Sequence, residues 1–400
     1  MSKDHQHIET TEHYGAHNYH PLPVVLAGAE GVYVTDVNGK KYIDCLSAYS
    51  AVNQGHRHPK ITKAAIDQMN TMTLTSRAFF NDKLGPYLKR LCEYTGFDMA
   101  LPMNTGAEAV ETAVKMARRW GNRVKKIADG QQEIIVCDEN FHGRTTTIIS
   151  FSTDDDARNG YGPFTPGFKV IPFNDPAALE KAITKNTCAF LVEPIQGEAG
   201  VNVPSPGYLA KVREICTKHN ILFIADEVQT GFCRTGKKFA WEHDNAKPDA
   251  MCLGKALGGG LYPVSAVVAR KDVMSVFTPG SHGSTFGGNP LACAIAMAAL
   301  DVLDDEHLAA RSAELGEVFR AGFKNIKSKK FQFVRGQGLL NAAVFEKGFE
   351  AWDVCVALKD EGLLAKQTHG NIIRFAPPLV ITPKQVQDSL DIIKRVFERY

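Results

Sequence analysis

Between about residues 130 and 270 the chain repeatedly sets short, wholly apolar runs among helical patterns and polar loops. Residues 134–137, 189–192 and 221–225 are such runs, and 264–269 is one more, interrupted only by Ser265. No polar residue alternates within them, so each strand expects burial on both faces. Strands of this kind, separated by helices, describe an α/β layout with a mainly parallel sheet covered by helices. The first helix spans about residues 107–120, with Val110, Ala113, Val114 and Ala117 on one stripe. A second spans about 209–218.

At Asn289-Pro290 the pattern changes. Asn as N-cap with Pro at the first helical position opens a helix to about residue 303. A helix over 307–326, strands near 339–345 and 372–375, and a last helix from Pro383 follow. Val386, Leu390, Ile393 and Phe397 give that last helix an apolar stripe. This tail reads as a smaller α+β domain. Ahead of the sheet, residues 32–34 and 42–43 flank Asn38-Gly39, a hairpin turn. Residues 1–20 carry five histidines and few apolar groups, and read as an extended arm. The expected division is 1–46 for arm and hairpin, which join the small domain, 47–288 for the large domain and 289–400 for the small one.

Charge argues against a polyanionic partner: 46 basic against 44 acidic residues leave +2, so neither nucleic acid nor an anionic membrane is expected. The longest apolar run, residues 291–300, is half of what a spanning helix needs. No secretory or mitochondrial presequence is visible at the N-terminus. Nine dispersed cysteines, with no C-x-x-C, read as reduced thiols in a cytosol-like compartment. His56-Arg57-His58 lacks further donors at ligand spacing, so no metal is expected. Gly231 to Lys238 nearly spells a phosphate loop, but Lys238 stands where a Mg²⁺-binding hydroxyl is required.

Four local features carry chemistry. Asp226 ends an apolar strand, the place where ligands sit in open α/β sheets, although a capping Asp would look the same. Lys255 lies among Leu253, Gly254, Ala256, Leu257 and three glycines. Burial there would lower its pKa and suit an amine that forms a Schiff base; an ordinary lysine in a flexible turn is the plain alternative. Thr105-Gly106-Ala107-Glu108 is a capping box, which opens a helix with free amides for a phosphate. Ser284 and Thr285, set among glycines, also suit a phosphate. One ligand satisfies all four: pyridoxal 5'-phosphate (PLP), with a phosphate, an aldehyde for Lys255 and a basic ring nitrogen for Asp226.

Asp226-Glu227-Val228-Gln229-Thr230-Gly231, followed by Gly254-Lys255-Ala256-Leu257, resembles the signature of the class III aminotransferases, of fold type I. The resemblance runs from about Tyr14 to the C-terminus. Within that family, the stretches 14–23, 50–56, 74–78, 193–200 and 369–378 are most similar to the ornithine δ-aminotransferases. It implies that Lys255 holds the cofactor and, once released, moves the proton, while Asp226 keeps the pyridine nitrogen protonated. Phe141 and Val228 would sandwich the ring and Gln229 would reach its hydroxyl. The amides of Gly106 and Ala107 would hold the phosphate, with Ser284 and Thr285 supplied by the second subunit of a homodimer.

For the substrates, the resemblance implies that Tyr19 and Arg144 hold the α-amino and α-carboxylate groups of L-ornithine away from Lys255. Tyr49 would lie near the cofactor in the same pocket. Arg374 would grip the α-carboxylate of L-glutamate or 2-oxoglutarate, and Glu198 would cover Arg374 in the ornithine half-reaction. His142 stands where some relatives carry Trp and many carry His. N-acetylornithine and 4-aminobutyrate aminotransferases share fold and cofactor and stay open as alternatives. A racemase or aminomutase on this scaffold would differ by needing no oxo acid.

Overall fold

The computed structural model describes residues 3–400. Its centre is a seven-stranded sheet. In spatial order the strands are Met99–Met103, Ser265–Ala269, Ala250–Leu253, Leu222–Asp226, Thr187–Val192, Glu133–Cys137 and Phe168–Ile171. All point the same way except Ser265–Ala269, which is antiparallel to both neighbours. The four expected strands fall within two residues of their predicted bounds. In Leu222–Asp226 every residue is buried; Phe223 and Ala225 enter one apolar cluster, Leu222 and Ile224 another. That two-sided burial is why the strand shows no alternation in sequence.

Three strands of this sheet escape the sequence reading. Met99–Met103 contains Pro102 and lies at one edge, where Pro is tolerated. Phe168–Ile171 is the opposite edge, with Val170 exposed. Ala250–Leu253 is only four residues long and has no β-branched side chain.

The helix Gly106–Arg123 packs its apolar stripe on one face of the sheet. The helix Pro290–Asp305 opens as expected: Asn289 Oδ1 accepts the Ala292 amide at 2.8 Å and Pro290 follows. It packs on Pro59–Met69, Leu84–Thr95 and the turn Lys255–Gly258. The helix expected over 307–326 ends at Gly322 and continues as a short 3₁₀ turn.

Two smaller sheets flank the core. Leu26–Glu30, Tyr33–Asp36 and Lys41–Asp44 form the expected hairpin plus one more strand, extended in parallel by Leu363–Leu364. Phe331–Gln337, Leu340–Phe345, Ile372–Phe375 and Lys366–Thr368 form an antiparallel sheet.

The N-terminal arm is a correction. Residues 3–14 form a helix, not an extended segment. It has both local and long-range contacts: His5 pairs with Glu9 at 2.9 Å one turn on, and Asn38 Nδ2 donates to Asp4 Oδ2 at 2.6 Å. Polarity alone does not forbid helix. Met1 and Ser2 of that arm lie outside the described residues. All nine cysteines are free thiols, and among the described residues no helix is long and apolar enough to cross a membrane.

Candidate active site

Asp226 is the last residue of its strand and is 5% exposed. Its Oδ1 accepts the Val228 amide at 3.0 Å, and Oδ2 lies 2.6 Å from His142 Nδ1. The His142 ring is fully buried, and its Nε2 has no hydrogen-bond partner among the described residues. Burial alone would lower the His142 pKa; the hydrogen bond to Asp226 and the charges of Asp226 and Glu193 outweigh it, so the pKa rises. Glu193 accepts the Phe141 amide at 2.9 Å. Burial pushes its carboxyl up to about 7; His142 opposes this and Asp226 adds to it.

Lys255 begins the turn after Ala250–Leu253 with φ 45, a left-handed conformation that lysine rarely adopts. Its surroundings lower the pKa by desolvation, against the pull of Asp226, Glu198 and Glu193. Its Nζ makes no hydrogen bond among the described residues. The amine thus shares a cavity with the Asp226 carboxylate without bonding to it.

Helix Gly106–Arg123 starts with the predicted capping box: Glu108 N donates to Thr105 Oγ1 at 3.2 Å and Thr105 N to Glu108 Oε2 at 2.8 Å. The amides of Gly106 and Ala107 have no acceptor in the first helical turn. A Cβ at Gly106 would stand 2.9 Å from Val228 Cγ1. Gln229 Oε1 is buried without a partner, and a Cβ at Gly197 would meet it at 1.6 Å. Lys255, Asp226, Phe141, Val228 and Gln229 line one cavity of about 190 Å³, with Gly106 and Ala107 in its wall. A free-amide cradle, a buried carboxylate, an unpartnered amide oxygen and a lysine of lowered pKa fit the phosphate, ring nitrogen, ring hydroxyl and aldehyde of PLP.

A second cluster adjoins it. Arg374, from the strand Ile372–Phe375, is 4% exposed. It holds Glu198 with two nitrogens, Nη1 to Oε2 at 2.6 Å and Nη2 to Oε1 at 3.2 Å. Its guanidinium lies 5.0 Å from the centroid of the Tyr49 ring. Tyr49 sits in the turn Ser47–Ser50, whose φ values are 48, 45, 60 and 74. Such a left-handed run costs roughly 1–2 kcal/mol per residue. Asp44 Oδ1 braces it by accepting the Leu46 and Ser47 amides, each at 2.9 Å. Burial raises the Tyr49 pKa; Arg374 opposes the shift, and Glu198 and Tyr19 add to it.

Arg144 is exposed, with its guanidinium 5.6 Å from the Phe141 ring centroid, and Tyr19 is 72% exposed. Ser284 Oγ accepts from Asn104 Nδ2 at 2.8 Å, and Thr285 is exposed; neither lines the cavity. His142 and Glu193 were given no role from sequence. His142 and Asp226 are 84 positions apart, and nothing local pairs them. Among the described residues no three His, Cys, Asp or Glu converge as a metal site.

The family model Aminotransferase class-III matches residues 14–397. The chain is 56% identical to an ornithine aminotransferase of Brevibacillus brevis over 396 residues, 99% of each chain. It is 56% identical to ornithine aminotransferase 2 of Staphylococcus aureus over 398 residues, 100% of each. Among solved structures, an ornithine aminotransferase from Toxoplasma gondii with partial PLP occupancy superposes with a TM-score of 0.98 at 47% identity. That match covers 99% of this chain and 94% of the other. An acetylornithine aminotransferase from Elizabethkingia anophelis gives 0.91 at 53% identity, covering 100% of both. A carboxylate at a strand end, a desolvated lysine after the next strand and a full-length match converge: this chain belongs to the class-III aminotransferases and is a PLP-dependent enzyme of fold type I.

Proposed function

We propose that this chain transfers the δ-amino group of L-ornithine to 2-oxoglutarate. The products are L-glutamate and glutamate 5-semialdehyde, which cyclises to pyrroline-5-carboxylate. One observation carries the reading: the two-point pair between Arg374 and Glu198 beside Lys255. Ornithine must present an amine near Lys255 and keep its single α-carboxylate far away. A free arginine there would attract the wrong end. A dicarboxylate needs that same arginine exposed. A pair that opens for one substrate and closes for the other meets both demands. The full-length relatives named as ornithine aminotransferases support it.

PLP, when bound, supplies an electron sink for the carbanion formed at the substrate carbon. Everything else falls to the chain. Lys255 Nζ anchors the cofactor, then takes and returns the substrate proton; its lowered pKa favours the neutral amine that this task uses. Asp226 keeps a proton on the ring nitrogen, and His142 orients its carboxylate. Gly106 and Ala107 give amides to the phosphate at a helix N-terminus. Phe141 and Val228 flank the ring and Gln229 meets its hydroxyl. Arg144 takes the ornithine α-carboxylate with its planar fork, and Tyr19 takes the α-amino group. Ser284 and Thr285 serve the phosphate of a second copy, making the working unit a homodimer with residues 47–288 and 289–400 as its large and small domains. Nine free cysteines favour the reducing cytoplasm.

A second reading, N-acetylornithine as donor, is favoured by the Elizabethkingia likeness. The deciding experiment follows conversion of bound PLP to its amine form with L-ornithine, N-acetylornithine and 4-aminobutyrate in parallel. Ornithine is expected to be far fastest. N-acetylornithine outrunning ornithine would transfer the assignment to the second reading.

A further inference from the structure

The segment 193–202, which carries Glu198, is fastened along its backbone. Gln196 and Asn202 form an antiparallel bridge with amide-to-carbonyl distances of 3.2 and 3.0 Å. Gly197 O accepts the amides of Gly200 and Val201, each at 3.3 Å. Arg335 Nε donates to Gly200 O at 2.9 Å. Gly200 has φ 100, and a Cβ there would lie 2.6 Å from Ile372 Cδ1, so the turn packs directly on the small sheet. Thr368 Oγ1 donates to the carbonyl of Glu198 itself at 2.8 Å.

Thr368 ends the strand Lys366–Thr368, which pairs with the strand of Arg374. Lys366 stands opposite Arg374 and Thr368 opposite Ile372. One pair of strands therefore bears Arg374 and also holds the backbone of its carboxylate partner. The Glu198 side chain keeps 30% exposure, so it has room to turn. The pair can open by side-chain rotation while the backbone stays in place.

We propose that Thr368 is a positioning residue that sets which end of a substrate meets Lys255, by fixing the Glu198 backbone so that its carboxylate returns to Arg374 whenever no dicarboxylate is present. The proposal rests on the ornithine reading above. Without the Thr368 hydroxyl, Glu198 covers Arg374 less well, and Arg374 captures carboxylates that should be excluded. Ornithine bound by its α-carboxylate there would lose its α-amino group instead. The nitrogen passes to PLP, the new carbonyl oxygen comes from water, and 5-amino-2-oxopentanoate leaves; no oxidant is needed.

The test uses full-length, PLP-loaded Thr368→Val and Thr368→Ser. It measures single-turnover rates with ornithine and with glutamate, identifies the ornithine product by mass spectrometry and NMR, and measures glutarate affinity by calorimetry. For Thr368→Val the glutamate-to-ornithine rate ratio should rise, and glutarate should bind more tightly, each by roughly three- to tenfold, the worth of one hydrogen bond. A fraction of α-amino loss should appear, and Thr368→Ser should restore wild-type behaviour. Equal changes in both half-reactions, or none, would overturn the proposal. Thr368→Ala stands in if the valine variant does not fold, and failure of both to fold would mark Thr368 as structural and overturn it too. Wild-type enzyme inert to ornithine would sink the functional reading and this inference together; active wild type with an unmoved ratio would sink only the role of Thr368.

Discussion

Two hydrogen-bonded pairs lie close to Lys255, and they are built differently. His142 and Asp226 have side chains 0% and 5% exposed. The Arg374 side chain is 5% exposed, but that of its partner Glu198 keeps 30%. Breaking a fully buried hydrogen bond to a charged group by removing one member costs about 1–3 kcal/mol, because the polar group left behind finds no water. A pair with one member at the solvent can exchange partners at far lower cost. On the proposed function, the fixed pair would hold the protonation of the cofactor ring constant, and the exchangeable pair would serve two substrates of different charge in turn.

The largest expected effect tests what both pairs serve. Lys255→Ala should lower turnover by at least roughly 10³-fold, the range of a positioned proton-transfer group. Borohydride reduction followed by peptide mapping should leave a pyridoxyl group on the wild-type peptide containing residue 255 and none on the variant. A label at another lysine would relocate the anchor.

Asp226→Asn breaks the fixed pair. We expect turnover to fall by roughly 10²-fold and stability by about 1–3 kcal/mol, read from urea midpoints. Glu198→Gln should cost less stability than this. Equal losses would erase the distinction between the two pairs.

Glu193 sharpens the fixed side through pH. Its folded pKa of about 7 is above the ordinary 4.5. A raised pKa gives stability that is full below the unfolded value and lost as pH rises through the folded one. Glu193→Gln should therefore match wild type near pH 4.5 and exceed it above pH 7 by roughly 1–3 kcal/mol. A difference that does not move with pH would mean that Glu193 titrates normally.

The smallest effect concerns the cradle. Gly106→Ala places a methyl against Val228, and overpacking of this kind costs roughly 1–3 kcal/mol. PLP affinity, followed by fluorescence titration, should weaken about tenfold. Unchanged affinity would show that Val228 shifts freely.

The same contrast governs what the sequence discloses. Asp226 at the end of an apolar strand, Lys255 among glycines and the Thr105–Glu108 capping box are local signals, readable where they stand. Arg374 and Glu198 are 176 positions apart, and only the family likeness joins them. The pairing of His142 with Asp226 depends on which strands become neighbours, which no local pattern states. The left-handed turn Ser47–Ser50 contains no glycine and gives no sign of its conformation. The edge strands were hidden for other reasons: Met99–Met103 carries Pro102, which argues against a strand, and Phe168–Ile171 is partly solvated and interrupted by Lys169.

The exchange of partners at Arg374 is tested most directly by Glu198→Gln in single-turnover reactions with glutamate and ornithine. With the carboxylate gone and the shape kept, the glutamate-to-ornithine rate ratio should rise at least roughly tenfold, since an arginine freed of its charge partner gains for a dicarboxylate what it had spent on Glu198. A ratio equal to that of the wild type would contradict the account.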